Sequence, residues 1–254
     1  MIDNIFTSNS YAINKIDSTT WQIIEKDKIC SVYCYLLEGN KASVLIDTGI
    51  GRINLPQIVK QLTSKPVFVM YSHGHLDHIG NNNFRYAFLH KNDYPVFVEH
   101  SKYQLRKLFG YPEIRANTEN LHFFTYDFSF DLGNRPINII GTPGHTAGSI
   151  CVLDCNRGYL FSGDHCCKAD VLLNFEHSTS LKTYSESLRK LLVLKEDISF
   201  VFPSHHESPI CVQVVEEFYS LAMSILNNDG TYIEEKTNNG TRYKYLNGAV
   251  DIVM

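Results

Sequence analysis

Apolar and β-branched residues gather in short runs over the first part of the chain. Residues 20–26 (TWQIIEK), 30–37 (CSVYCYLL) and 42–47 (ASVLID) are punctuated by EGNK and DTGIG, which predicts an antiparallel meander. Residues 53–63 suit a helix with Pro56 in its first turn, and 66–73 (PVFVMYSH) reads as a strand buried on both faces. Asp93 and Pro95 look like the start of a helix running to about Phe109, and 110–126 reads as irregular, then extended. The second half predicts strands at 136–141, 149–154 and 159–163, a helix at 181–194 and a buried strand at 198–205. A long helix follows at 209–227, then a hairpin over 231–245 turning at Asn239-Gly240. Strands followed by helices, twice over, argue for an α/β (α+β) fold of two packed sheets with helices outside.

The 254 residues fit one domain over 1–254, and 44% hydrophobic with 20% charged residues excludes a disordered chain. The net charge of −4 argues against a broad basic face for nucleic acid. The polar N-terminus lacks a signal core and no apolar run approaches a membrane span, so a cytoplasmic protein with no membrane contact is expected. The seven cysteines are an odd number without C-x2-C pairs, which fits reduced thiols. Cys30, Cys34, Cys151 and Cys155 read as packing residues. Cys166 and Cys167 are read the same way, in preference to redox-sensitive thiols.

Histidine changes the picture. The buried strand 66–73 runs into Ser72-His73-Gly74-His75-Leu76-Asp77-His78, which puts four ligand-type side chains within six residues. The chance expectation for H-x-H-x-D-H at this composition is on the order of one in a thousand. His145 in GTPGHTAGS, Asp164 in LFSGDH and His205 in VFPSHH each follow another predicted strand. In a layered fold, strand ends on one edge converge, and sites are built there. His90, His100, His122 and His177 match no motif and read as surface or satisfied polar residues.

In this order, H-x-H-x-D-H, the Thr-Pro-Gly-His loop, Ser-Gly-Asp and Pro-Ser-His resemble the metallo-β-lactamase superfamily of metal-dependent hydrolases, and Asp47 in LIDTG matches its first motif. The resemblance implies a four-layer αββα sandwich of two mixed β-sheets with outer helices. It implies His73, His75 and His145 as a first metal site, Asp77, His78 and His205 as a second, and Asp164 as the bridging carboxylate. Asp47 would hold a ligand or the loop in place. The doublet His205-His206 leaves a register choice, which the family's Pro-x-His pattern gives to His205.

Imidazole and carboxylate donors suit two divalent ions, zinc first, with iron or manganese as alternatives. Two ions about 3.5–4 Å apart share a water, lower its pKa toward about 7 and make hydroxide the nucleophile. Asp77 could shuttle the proton. Asp at position 164, where the zinc β-lactamases of the family usually carry Cys or Ser, is similar instead to glyoxalase II-like thioesterases, lactonases and phosphodiesterases. The substrate expected is a small ester, thioester or lactone. A mononuclear iron sulfur dioxygenase and a phosphodiesterase are the alternatives. Two segments could cap the pocket: 94–126, with Tyr94, Phe97, Tyr103, Phe109, Tyr111, Phe123, Phe124 and Tyr126, and 166–180. The hairpin 231–245 could pair with a second subunit or lie under solvent, so a homodimer is left open.

Overall fold

The computed structural model describes residues 2–114, 118–125, 127–246 and 248–254. Tyr126 and positions 115–117, within the predicted capping segment 94–126, lie outside the described residues. The chain divides into two compact units, Met1–Ile137 and Asn138–Met254.

The first unit opens with β1 (Asp3–Thr7), β2 (Tyr11–Asp17), β3 (Thr20–Glu25), β4 (Val32–Glu38) and β5 (Ser43–Ile46). These strands pair antiparallel in sequence order. Helix α1 (Leu55–Leu62) then crosses over to β6 (Val67–Met70), which pairs parallel to β5. Parallel pairing needs such a crossover, whereas the meander needs only turns. Strand β7 (Ala87–His90), helices α2 (Tyr94–His100) and α3 (Tyr103–Leu108), β8 (Leu121–Phe124) and β9 (Phe128–Asp131) follow. Sheet order is β1-β2-β3-β4-β5-β6-β7-β8, with β6, β7 and β8 also parallel. Asn54 caps α1 by accepting from Gln57 N–H at 3.2 Å, and Pro56 sits in its first turn. The core under the helices includes Trp21, Ile23, Leu45, Ile58, Val69 and Phe97.

The single helix expected to run through Phe109 is two helices. The Ser101 hydroxyl donates to Phe97 O at 2.7 Å, and Lys102 turns extended (φ −65°, ψ 132°) before α3 begins. The break lets α3 turn Arg106 fully into the interior. Within the same segment, Phe97 is core, while Tyr94, Tyr103, Phe109 and Phe123 are exposed.

Strand β10 (Pro136–Gly141) carries the chain across the boundary. The second unit continues with β11 (Ile150–Asp154), β12 (Tyr159–Gly163), β13 (Asp170–Leu172), α4 (Leu181–Val193) and β14 (Phe200–Pro203). Helix α5 (Gln213–Asn227), β15 (Tyr232–Thr237), β16 (Gly240–Tyr245) and β17 (Asp251–Val253) complete it. One sheet runs β14-β12-β11-β10, with β12 and β14 parallel; another runs β13-β17-β16-β15. Helices α4 and α5 pack through Tyr184, Leu188, Val215, Phe218 and Leu221. Helix α5 starts four residues later than its apolar pattern suggests, because Ile210 exchanges backbone hydrogen bonds with Val201. The hairpin turn is Asn238-Asn239, one residue earlier than read, since Thr237 pairs with Gly240.

Candidate metal centre

Parallel strand pairs place the polar residues. In the first unit Ile46 lies opposite Met70, so the residues just past the carboxyl ends of β5 and β6, Asp47 and Ser72, arrive side by side. Asp47 takes a left-handed φ of 60°, which a short polar side chain tolerates. Its Oδ1 accepts from Ser72 N–H at 2.7 Å, and its Oδ2 accepts from the Ser72 hydroxyl at 2.7 Å.

That geometry decides the imidazole tautomers. Ser72 spends its hydroxyl hydrogen on Asp47, so its oxygen accepts from His73 Nδ1–H at 3.0 Å. The Nδ1–H of His78 donates to Asp47 Oδ2 at 2.8 Å. Both rings are left with an Nε2 lone pair. His73 Nε2 stands 2.9 Å from His75 Nδ1, and His78 Nε2 stands 3.8 Å from Asp77 Oδ1. Two nitrogens bound to one tetrahedral zinc at 2.0–2.1 Å are about 3.3 Å apart, close to the His73–His75 spacing. His73, His75, His78 and Asp47 are buried, and Asp77 is partly exposed.

The second unit repeats the logic. Strands β12 and β14 are parallel neighbours with Gly163 opposite Pro203, and Ser204 N–H donates to Gly163 O at 3.0 Å. Asp164 and His205 therefore leave adjacent strand ends. His145, between β10 and β11, donates its Nδ1–H to Leu172 O at 2.8 Å, which again leaves the lone pair on Nε2. His145 Nε2 lies 3.6 Å from Asp164 Oδ2, and His205 Nε2 lies 3.6 Å from Asp164 Oδ1. Those separations are too long for hydrogen bonds. They leave one carboxylate flanked by two ring nitrogens, a donor set that fits divalent metal. His206, with φ 65°, turns the chain away just after His205. Helix α4 steadies this half: Ser187 Oγ donates to Pro143 O at 2.7 Å and Tyr184 OH donates to His165 O at 2.8 Å. Burial pushes the His165 imidazole down to about 3, so it stays neutral.

Several contributors escaped the sequence reading. Asp93, expected as a helix cap, makes no capping bond; its carboxylate accepts from Gly74 N–H at 2.7 Å, inside the H-x-H motif. His100 accepts from Leu76 N–H at 3.2 Å and stacks on His75 with ring centroids 4.9 Å apart. Buried Arg106 donates to Leu76 O and Pro112 O, each at 2.7 Å, and to Ile50 O. Desolvation lowers its guanidinium pKa to about 10, against the opposing pull of Asp77. Glu25 accepts from Ile50 N–H at 2.8 Å and from the N–H groups of Gly51 and Arg52, anchoring the loop after Asp47. Phe175, inside the segment 166–180 already expected near the pocket but not singled out there, makes a T-shaped contact with His145. No local spacing links these residues to the motifs; their signal is tertiary. Cys166 and Cys167 are buried, and burial raises both thiols, Cys167 to about 12.

A nematode (Caenorhabditis elegans) "Beta-lactamase-like protein 2 homolog" is 26% identical over 72% of this chain, and the match spans only 58% of that relative's length. The "Acyl-coenzyme A thioesterase MBLAC2" of Gallus gallus is 22% identical over 77% of this chain and 78% of its own. The "Hydroxyacylglutathione hydrolase GloC" of Haemophilus influenzae is 26% identical over 66% of this chain and 82% of its own. Among solved structures, a metallo-beta-lactamase from Pontibacter korlensis superposes with a TM-score of 0.65 at 20% identity, covering 84% of this chain and 99% of that one. That likeness shows a shared mixed α/β fold, the metallo-beta-lactamase sandwich. The model of the metallo-beta-lactamase superfamily matches residues 27–205, more than half of the chain, and the chain belongs to that superfamily.

Proposed function

We propose that the chain is a metal-dependent hydrolase acting on a small thioester, ester or lactone, thioester first. In this reading His73, His75 and His145 hold one divalent ion, Asp77, His78 and His205 hold a second, and Asp164 serves both. Zinc is the leading candidate. The ions would supply a Lewis acid and an activated water.

The observation that carries the reading is the fixed tautomer of three imidazoles. His73, His78 and His145 each commit Nδ1–H to a built acceptor: Ser72 Oγ, Asp47 Oδ2 and Leu172 O. Metal-ligand histidines are held in this way, through the nitrogen that does not bind. Asp47 acts through Ser72 and His78 as a positioning residue. Asp77 is partly exposed beside His78, which supports a role in taking a proton from the attacking water. The thioester preference is supported by the two relatives named for hydrolysis of acyl-coenzyme A and hydroxyacylglutathione.

The test is a hydrolysis panel on zinc-loaded protein, with and without chelator. It spans acyl-coenzyme A and glutathione thioesters, acyl lactones, aryl esters, phosphodiesters and a β-lactam. Thioester turnover well above the rest, and abolished by chelator, is the expected result. Preference for phosphodiesters would move the substrate assignment, and a flat response with zinc bound would overturn the hydrolase reading.

A further inference from the structure

One turn of the second unit is built against the loop of His145 yet contributes no expected ligand. It lies between β13 and α4, and both of its ends are fixed. Leu173 N–H donates to Val253 O at 2.8 Å, and Ser180 caps α4 by accepting from Thr183 N–H at 3.2 Å. Its middle is tied to the residues around His145. Ser178 Oγ donates to His145 O at 2.8 Å, and Thr179 N–H donates to Gly144 O at 2.9 Å. Ser178 N–H closes the turn on Phe175 O at 3.0 Å. Asn174 Nδ2 donates to Asn239 O at 2.6 Å, so the β15–β16 hairpin braces the turn from behind.

This bracing presents two rings. Phe175 meets His145 edge to face, with centroids 5.6 Å apart and planes at 84°. His177 lies parallel on Phe175, with centroids 5.4 Å apart and planes at 9°. Phe175 keeps 39% of its surface exposed although the turn around it is tightly bonded. A large apolar ring held rigid and half-open to solvent, touching a proposed metal ligand, has the form of a ligand contact surface.

We propose that Phe175 and His177 form an aromatic shelf that binds the acyl or aryl portion of the substrate beside His145, selecting longer apolar acyl groups over acetyl. This rests on the hydrolase reading for its substrate class. The shelf offers the apolar ring of Phe175 backed by the stacked imidazole of His177, with no Lys or Arg in it, so it favours a hydrocarbon chain or an aromatic ring. It sits next to His145, so the group it holds lies next to the bond being cleaved. Phe175 is a specificity residue in this assignment and takes no part in bond breaking.

The experiment compares wild type with Phe175→Ala and Phe175→Leu, all zinc-loaded, over acetyl-, butyryl-, hexanoyl- and octanoyl-coenzyme A. The ratio of kcat/KM for octanoyl to acetyl should fall about tenfold in Phe175→Ala, chiefly through KM, and recover in large part in Phe175→Leu. Bound zinc, by elemental analysis, should match wild type in both variants. Calorimetric binding of acetate and octanoate runs in parallel and needs no turnover. Wild type should bind octanoate more tightly than acetate, and Phe175→Ala should lose that preference. If wild type turns over no thioester but shows this preference, the shelf stands and the hydrolase reading falls. If Phe175→Ala lowers every acyl length equally, or loses zinc without changing the ratio, Phe175 merely supports His145 and the shelf is overturned. Equal affinity of wild type for acetate and octanoate overturns it as well.

Discussion

Asp47 shows how much one carboxylate can arrange. It receives a backbone N–H, a hydroxyl and an imidazole N–H, all within 2.8 Å. Asn in its place would keep the left-handed backbone but offer an amide where two donors already point. Asp47→Asn should therefore weaken zinc binding about 10- to 100-fold, as disturbed supports of ligand histidines do, read by competition with a chromophoric chelator. The cysteines make the opposite case. Burial raises the thiols of Cys166 and Cys167, so almost no thiolate exists at pH 7, and thiolate is the reactive form. Brief alkylation of native protein near pH 7.5 should label exposed Cys211 ahead of either; mass spectrometry of the peptides reads this, and labelling of Cys167 first would refute it.

At the scale of elements, loops need a cause for holding still, and in the first unit Arg106 is the one that ties three segments at once. Its guanidinium binds the carbonyls of Ile50, Leu76 and Pro112, one from each of three segments. Leu76 lies between His75 and Asp77, so Arg106 ties the H-x-H-x-D-H loop to two neighbouring segments, beside the bonds from Asp47, Asp93 and His100. Arg106→Ala would leave the buried carbonyls of Ile50 and Leu76, and the part-buried one of Pro112, without that donor and should cost about 3 kcal/mol in urea denaturation. Lys, a single point donor, should restore only part of it. The strands that carry the motifs were legible, because β5, β6, β10, β12 and β14 lie in apolar runs bounded by turn residues. The short β7, β13 and β17 were not read from the sequence. Strand β1 is exposed along its length and holds by backbone pairing to β2, so it has no apolar face to detect.

At the scale of the molecule, the candidate ligand residues and the supporting Asp47 were visible in sequence, while the other supports were not. His73, His75 and Asp77 sit in one motif, but Asp93, His100, Arg106 and Phe175 reach their places through folding alone. Metal should couple to stability across the fold, because ligand binding to the native state alone stabilises it by mass action. Removing metal with chelator should lower Tm and abolish turnover together. Restoring zinc to about 1,000 times its Kd should return roughly 4 kcal/mol. Among the described residues no helix is long and apolar enough to cross a membrane. The pairing of β13 with β17 carries a kinetic consequence. Leu172, whose carbonyl orients His145, belongs to a strand whose parallel partner is Asp251–Val253. On the ribosome, His145 emerges long before the segment that steadies its acceptor. The histidine's orientation is therefore completed late in synthesis, and a nascent chain halted before Asp251 would carry His145 without the frame that aims it.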